Sequence, residues 1–278
     1  MIPRGPFHLH CMDWKRECAV IIPCFNEARN IAELVRSVRL FLPNVIVVDD
    51  GSTDGTSEKA ARAGAAVVRH DRNLGKGTAL RSGCRQAREQ GFQWALMMDG
   101  DGQHAPEDIA VILARAETTN TQLVIGNRME NAVAIPWVRR HANRWMTRRL
   151  SNLTGMALAD SQCGFRLVKL DVWAALRLTT RRFEIESELL VTFIAAGCRP
   201  EFVPIQVIYN ARQSKIRVIS DSWRWFRWWA RELFSKVARH ITRTRTVVPV
   251  YAVPLTFDAK AQDIGPGNGT GPGFRLHS

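Results

Sequence analysis

The chain reads as an α/β protein with a mostly parallel, open sheet flanked by helices, and two observations predict this. First, short continuous apolar runs stop abruptly at polar residues, at Ala19 to Pro23, Val45 to Val48 and Trp94 to Met98. Runs of this length bounded by turn residues are strands buried on both faces, the parallel-sheet pattern. Second, the stretches between them, Ala28 to Leu40, Thr53 to Ala63 and Lys76 to Glu89, carry apolar residues at helical spacing. Alternation of strand and helix implies right-handed crossovers and a sheet covered on both sides.

Each run ends in chemistry. The first passes into Cys24-Phe25-Asn26-Glu27, and the second into Asp49-Asp50-Gly51-Ser52-Thr53-Asp54-Gly55. The third passes into Asp99-Gly100-Asp101-Gly102-Gln103-His104. Ligands of open α/β sheets bind beyond the carboxyl ends of the strands, which is where Asn26, Glu27, Asp49, Asp50, Asp99 and Asp101 fall. Asp99 and Asp101, one residue apart at a strand end, can offer hard oxygen ligands to Mg²⁺ or Mn²⁺, ions that keep positions open for substrate phosphates. A lone Asp-x-Asp is more often a solvated turn, so the pair gains its meaning from the two other strand ends beside it.

Further along, Leu189 to Cys198 follows Glu184, Glu186 and Glu188 and reads as a buried helix. Ile135 to Leu153 mixes Trp137, Trp145 and Met146 with many arginines, and Ser222 to His240 interleaves Trp and Phe with Arg at helical spacing. Such a helix suits the headgroup layer of an anionic membrane, and it equally suits docking on the protein's own core or on a partner subunit. Thr244 to Leu255 could add a strand, whereas Gly265 to Gly273 alternates glycine with Pro, Asn and Thr and reads as a disordered tail. The resulting division is an N-terminal extension over 1–17, one catalytic domain over 18–243 that includes a basic Trp-rich helix at 221–242, and a tail over 244–278. One core of about 230 residues is a reasonable size for a single α/β domain.

The ordered motifs carry a resemblance. Val20 to Glu27, Val47 to Thr56, Asn73-Leu74-Gly75-Lys76-Gly77 and Asp99 to His104 resemble the family-2 glycosyltransferases in both order and spacing. Asp160-Ser161-Gln162-Cys163-Gly164-Phe165-Arg166 and Phe183 to Glu188 narrow the likeness to the dolichyl- or polyprenyl-phosphate mannosyl- and glucosyltransferases. The resemblance covers residues 18 to 240 and implies a GT-A fold, a nucleotide diphosphate sugar donor and an inverting transfer. It also implies that Pro23, Asn26, Glu27 and Asp50 line the base and ribose pocket, and that Gln103 joins Asp99 and Asp101 as a third metal ligand. Lys76, after Gly75, offers a point charge to a phosphate or base, although helix-start lysines are common. His104 is expected at most behind the ligands.

At such a site the metal stabilises a departing diphosphate while a nucleophile displaces it from the anomeric carbon. A hydroxyl acceptor needs a general base, for which Asp160 is the candidate. A lipid phosphate is already anionic and needs cationic residues to orient it instead. Arg128, the cluster Arg139, Arg140, Arg144, Arg148 and Arg149, and then Lys215 and Arg217 supply that charge. At least half of these fit ordinary solvated surface, and Arg128, Lys215 and Arg217 are the expected phosphate contacts.

A net charge of +13 fits attraction to acidic lipid and phosphate. It also fits a nucleic-acid-binding protein, a reading opposed by the acidic cluster at the strand ends, so no nucleic-acid partner is expected. Sugar-nucleotide pyrophosphorylases need a Gly-rich basic loop after the first strand, where this chain has Asn26-Glu27. The six cysteines are scattered without Cys-x-x-Cys pairing, which points away from zinc and disulfides. No run reaches the roughly 18 to 20 apolar residues that cross a bilayer. Residues 1 to 16 lack a secretory pattern. The expectation is therefore an enzyme held peripherally on the cytoplasmic face of a membrane, acting on a polyprenyl phosphate.

Overall fold

The computed structural model describes residues 12–130, 135–208 and 223–234. A single mixed sheet runs through it, built from β1 (Cys18–Cys24), β2 (Val45–Asp49), β3 (Ala66–Arg69), β4 (Trp94–Met97), β5 (Leu123–Asn127), β6 (Arg166–Lys169) and β7 (Glu201–Pro204). Spatial order is β3-β2-β1-β4-β6-β5-β7. Every neighbouring pair is parallel except those made by β6, which runs antiparallel to both β4 and β5. The expected α/β class with a mostly parallel sheet is what the chain adopts.

The helices are α1 (Trp14–Glu17), α2 (Ile31–Arg39), α3 (Thr56–Arg62), α4 (Lys76–Glu89), α5 (Asp108–Thr119), α6 (Trp137–Thr154), α7 (Leu170–Ala175) and α8 (Ile185–Ala195), and residues 223–234 form a further helix, α9. The α4 boundaries match the expected Lys76 to Glu89, whereas α2 and α3 start later than their periodicity suggests. The reason is local: Ala28 N–H donates to Asp54 and Asn30 N–H to the Glu27 carbonyl, so the residues before α2 form a turn. Before α3, Gly55 adopts φ 82°, a left-handed conformation in which glycine carries no Cβ penalty.

Parallel pairing brings the strand ends to one edge. Cys24 lies opposite Asp49, Ile21 lies opposite Met97, and the sheet hydrogen bonding continues from Met98 N–H to the Ile21 carbonyl at 3.0 Å. Asn26, Asp50 and Asp99 therefore emerge side by side. Helix α4 lies close enough to this part of the sheet that a Cβ on Gly83 would sit 2.4 Å from Ile21 Cγ2 and 3.0 Å from Val48 Cγ2.

Helix α9 docks on the protein itself. Trp225 and Trp228 are buried against Leu150 and Leu153 of α6, with Met146, Val191, Trp229 and Leu233 packed around them. Trp225 Nε1–H donates to Ser187 at 2.8 Å, and the Arg149 guanidinium lies 5.8 Å from the Trp229 ring centre. Of the two readings of this helix, core docking accounts for that stripe. Trp223, Phe226 and Phe234 remain exposed. Within the expected N-terminal extension, Trp14 packs edge-on against Trp94 with ring centres 5.5 Å apart. Lys215, Arg217, the candidate strand at 244–255 and the Gly/Pro tail lie outside the described residues.

Candidate active site

Two groups of polar side chains stand at the sheet edge. The first occupies the ends of β1 and β2. Asn26 takes φ 52°, which amides tolerate better than most side chains, and this lets its Oδ1 accept from Thr53 N–H while its own N–H donates to Ser52 Oγ at 2.8 Å. Glu27 N–H donates to Thr56 Oγ1 at 2.9 Å. Asp49 is sealed, accepting from Ser52 N–H and from Ser57 Oγ. Asp50 is 4% exposed and accepts from Leu74 N–H, Gly75 N–H and His70 Nδ1 at 2.7 to 2.9 Å. Both of its oxygens work inside the protein, anchoring the 70–75 loop at the start of α4. Gly51 is required here: at φ 79° a Cβ would lie 2.5 Å from the Arg72 carbonyl carbon.

The second group lies at the end of β4. Lys76, the first residue of α4, places its ammonium between Asp99 and Glu186, with Nζ 2.5 Å from Glu186 Oε1 and in closer contact with Asp99. His104 Nε2 is 3.6 Å from Asp99 Oδ2, and its ring stacks at a tilt on Phe165. Gln103 N–H donates to Asp101 Oδ1 at 3.1 Å. Pro23 backs the loop, its carbonyl close to Gly100. Gly164 makes the nest for Asp99, since a Cβ there would fall 2.5 Å from Oδ2 and 2.7 Å from Oδ1.

The charges in this cluster are strongly perturbed. Burial alone would raise the Asp99 carboxyl, but the Lys76 ammonium, helped by His104, holds it far below the ordinary carboxylate range. Lys76 is pushed up despite its burial, by Asp99 and then Glu186. Asp101 moves the other way, raised by burial and by the Asp99 charge beside it. Two close carboxylates of which one resists ionising are a donor set that a hard cation satisfies. His104 Nδ1, buried and without a hydrogen-bond partner among the described residues, adds an unsatisfied polar atom behind them. No three His, Cys, Asp or Glu side chains form an ion cage among the described residues. The carboxylates of Asp99 and Asp101 are hard oxygen donors of the kind Mg²⁺ takes together with substrate oxygens.

Beside this cluster sits a bidentate pair. Asp160, fully buried, accepts from Arg128 Nε at 2.8 Å and Nη2 at 3.1 Å, from Asn143 Nδ2 at 2.9 Å and from Gln162 N–H at 3.1 Å. Burial would raise its carboxyl, yet Arg128 and these donors bring it down to about 2. A carboxylate so paired is a weaker proton acceptor than a free one, which weighs against the general-base role expected of Asp160. Arg128 is raised against its burial by Asp160, and it also feels Asp99. Lys215 and Arg217 lie outside the described residues.

Three contributors escaped sequence reasoning as site residues. Glu186 stands in the Phe183 to Glu188 motif, and its signal was a pair of glutamates, Glu186 and Glu188, leading into an apolar helix. Gly164 shows its purpose only once Asp99 is located against it. Arg166 is fully buried and donates to the carbonyls of Cys163, Ser161 and Glu186, tying the Asp160 loop to α8.

Comparison with known proteins accords with this geometry. The family model described as glycosyl transferase family 2 matches residues 19–176. A UDP-N-acetylglucosamine–dolichyl-phosphate N-acetylglucosaminyltransferase of Methanococcus voltae is 29% identical, over 69% of this chain and 85% of that protein. A polyprenol monophosphomannose synthase of Mycolicibacterium smegmatis is 30% identical, over 55% of this chain and 62% of its own length. In fold, the chain superposes with a TM-score of 0.61 at 22% identity on glucosyl-3-phosphoglycerate synthase from Mycobacterium tuberculosis, crystallised with Mn²⁺, UDP and phosphoglyceric acid, covering 79% of this chain and 78% of that one.

Proposed function

The chain belongs to glycosyl transferase family 2, and from that premise we propose that it moves a hexose from a nucleotide diphosphate sugar, of the GDP-mannose or UDP-glucose type, to a polyprenyl phosphate at a membrane surface. The single observation that carries this reading is the Arg128–Asp160 pair. With Asp160 locked as a salt-bridged carboxylate near pKa 2, the site offers no base there for a hydroxyl acceptor. A phosphate acceptor needs none: it arrives anionic and requires only orientation. The names of the dolichyl-phosphate and polyprenol relatives support the same acceptor class.

In this mechanism each side chain has a task. Asn26 and Glu27 frame the nucleoside end, with Asp50 holding the 70–75 loop in place behind them. Lys76 holds Asp99 ionised and provides a positive charge facing the diphosphate. Arg128 spends Nε and Nη2 on Asp160, and its remaining Nη1 would meet the acceptor phosphate. When bound, a divalent ion on Asp99, Asp101 and Gln103 would supply charge neutralisation for the leaving diphosphate. Displacement from the face opposite the leaving group gives inversion.

Peripheral attachment on the cytoplasmic face completes the proposal. Trp137, Val138 and Trp145 of α6 are exposed, as are Trp223, Phe226 and Phe234 of α9. Apolar side chains among arginines suit a headgroup layer. Among the described residues no helix is long and apolar enough to cross a membrane.

The test is transfer of radiolabelled sugar from a panel of nucleotide diphosphate donors to undecaprenyl and dolichyl phosphate, with and without chelator. The expected result is a labelled lipid product that disappears with chelator and in Asp101→Ala. Full activity in Asp101→Ala, or no lipid product from any donor, would overturn the proposal.

A further inference from the structure

A recess of about 290 Å³ opens between the 180–184 segment and α9, and it shares none of its lining with the Lys76, Asp99 and Asp101 cluster. Its walls carry Arg181 and Arg182 from the segment and Arg224, Arg227 and Arg231 from the helix, against one carboxylate, Glu184. Positions 224, 227, 228 and 231 follow the i, i+3, i+4, i+7 spacing that puts side chains on one helix face. Glu184 is already engaged, with Oε1 3.4 Å from Arg224 Nε. Among the described residues, no ion pair is formed by Arg181, Arg182, Arg227 or Arg231. Among the described residues, four guanidinium groups thus share one concavity with a single carboxylate, Glu184, which is paired with Arg224.

Trp228 joins the recess to the α6–α9 apolar cluster. Its ring is 3% exposed, and its Nε1–H lacks a hydrogen-bond partner among the described residues while the residue lines the recess. The wall it faces is stiff. Thr179 and Thr180 are held by Glu188 through backbone and hydroxyl bonds of 2.6 to 2.9 Å, and the Arg181 carbonyl accepts from Gly77 N–H at 2.9 Å.

We propose that this recess is a binding site for a phosphoryl group, gripped by Arg227 and Arg231 beside the buried Trp228 ring. Planar guanidinium forks match phosphate oxygens, and the volume accommodates one phosphate or diphosphate headgroup but not a lipid chain. A phospholipid headgroup and a free phosphate present the same chemistry. The stripe of α9 next to the recess bears the exposed Trp223 and Phe226, which stack on each other with ring centres 6.0 Å apart, and this favours the lipid source. The site goes beyond the transfer reaction and does not rest on it.

The experiment follows the indole ¹⁵N–¹H signal of Trp228 in the full chain, assigned through Trp228→Phe, during titration with inorganic phosphate. In parallel, the chain is sedimented with phosphatidic acid or phosphatidylcholine vesicles. Arg227→Gln/Arg231→Gln removes the grip, while Arg36→Gln/Arg62→Gln removes equal charge from exposed sites elsewhere. The expected result is a saturable shift that the first double variant weakens about tenfold or more, and that the second leaves unchanged. Retention on phosphatidic acid vesicles that requires Arg227 and Arg231 identifies the lipid source. A phosphate shift without such retention identifies a soluble one. Absence of both responses, or equal weakening by the two double variants, would overturn the proposal.

Discussion

Asp160 accepts a two-pronged grip from Arg128, and the consequences can be measured on that residue alone. A carboxyl held down to about 2 in the folded protein contributes stability above its unfolded value of about 3.8, and that contribution is lost as pH falls toward 2. The difference corresponds to about 2 kcal/mol. Asp160→Asn should remove this part of the acid sensitivity and, by leaving the half-buried Arg128 without its charged partner, lower the denaturant midpoint at neutral pH. An unchanged unfolding midpoint would show that the pair does not carry the loop. Asp101 gives the opposite sign. Its raised pKa means that protons compete for it at higher pH than for an ordinary aspartate, so Mn²⁺ binding followed by electron paramagnetic resonance should weaken as pH drops through that value. Gly164→Ala should displace the Asp99 carboxylate, collapsing Mn²⁺ binding while the far-ultraviolet circular dichroism is retained. The carboxylates of this site were visible in the chain as strand-end residues. Their partners were not, because Glu186 and Arg128 reach Lys76 and Asp160 across long stretches of sequence that only the folded sheet brings together.

Helix α4 shows how closely an element can be specified by its sequence. Gly75 at its start takes φ 97°, and small residues at Gly77 and Gly83 let it approach the Thr180 carbonyl and the β1–β2 surface. Gly83→Ala should therefore overpack α4 against Ile21 and Val48 and destabilise by about 1–3 kcal/mol, read as a lower denaturation midpoint. A neutral or stabilising result, as helix propensity alone would give, would mean that the contact relaxes easily. The boundaries of α4 were readable because glycine and lysine mark its start and its periodicity is uninterrupted. Strand β3 was not readable, being four residues with mixed exposure, and neither was the antiparallel direction of β6, which no local pattern encodes. For α9 the amphipathic period was plain, but periodicity does not say what covers the apolar face. The structure answers for Trp225 and Trp228, and Trp225→Ala should cost about 3–5 kcal/mol. Trp223→Ser/Phe226→Ser should leave the melting temperature within a degree or two while lowering vesicle retention, if these exposed rings meet the headgroup layer.

At the scale of the molecule, one sheet sets out two kinds of charge. Carboxylates gather where β1, β2 and β4 end, and guanidinium groups gather on α6, α9 and the 180–184 segment, within a chain of net charge +13. The order of the strand-end motifs made the fold and the family legible, since parallel strands carry successive loops to the same edge. The acceptor was less legible, because its class depends on whether Asp160 can take a proton, and that is a question of burial and pairing. The most direct measurement supplies the intact chain with one competent donor sugar nucleotide, a divalent ion, and equal amounts of a polyprenyl phosphate and the matching polyprenol. The account predicts that label enters the phosphate alone, with no rate step near pH 4 to 7 traceable to Asp160. Label in the alcohol, with Asp160→Asn abolishing it and leaving the fold intact, would contradict it.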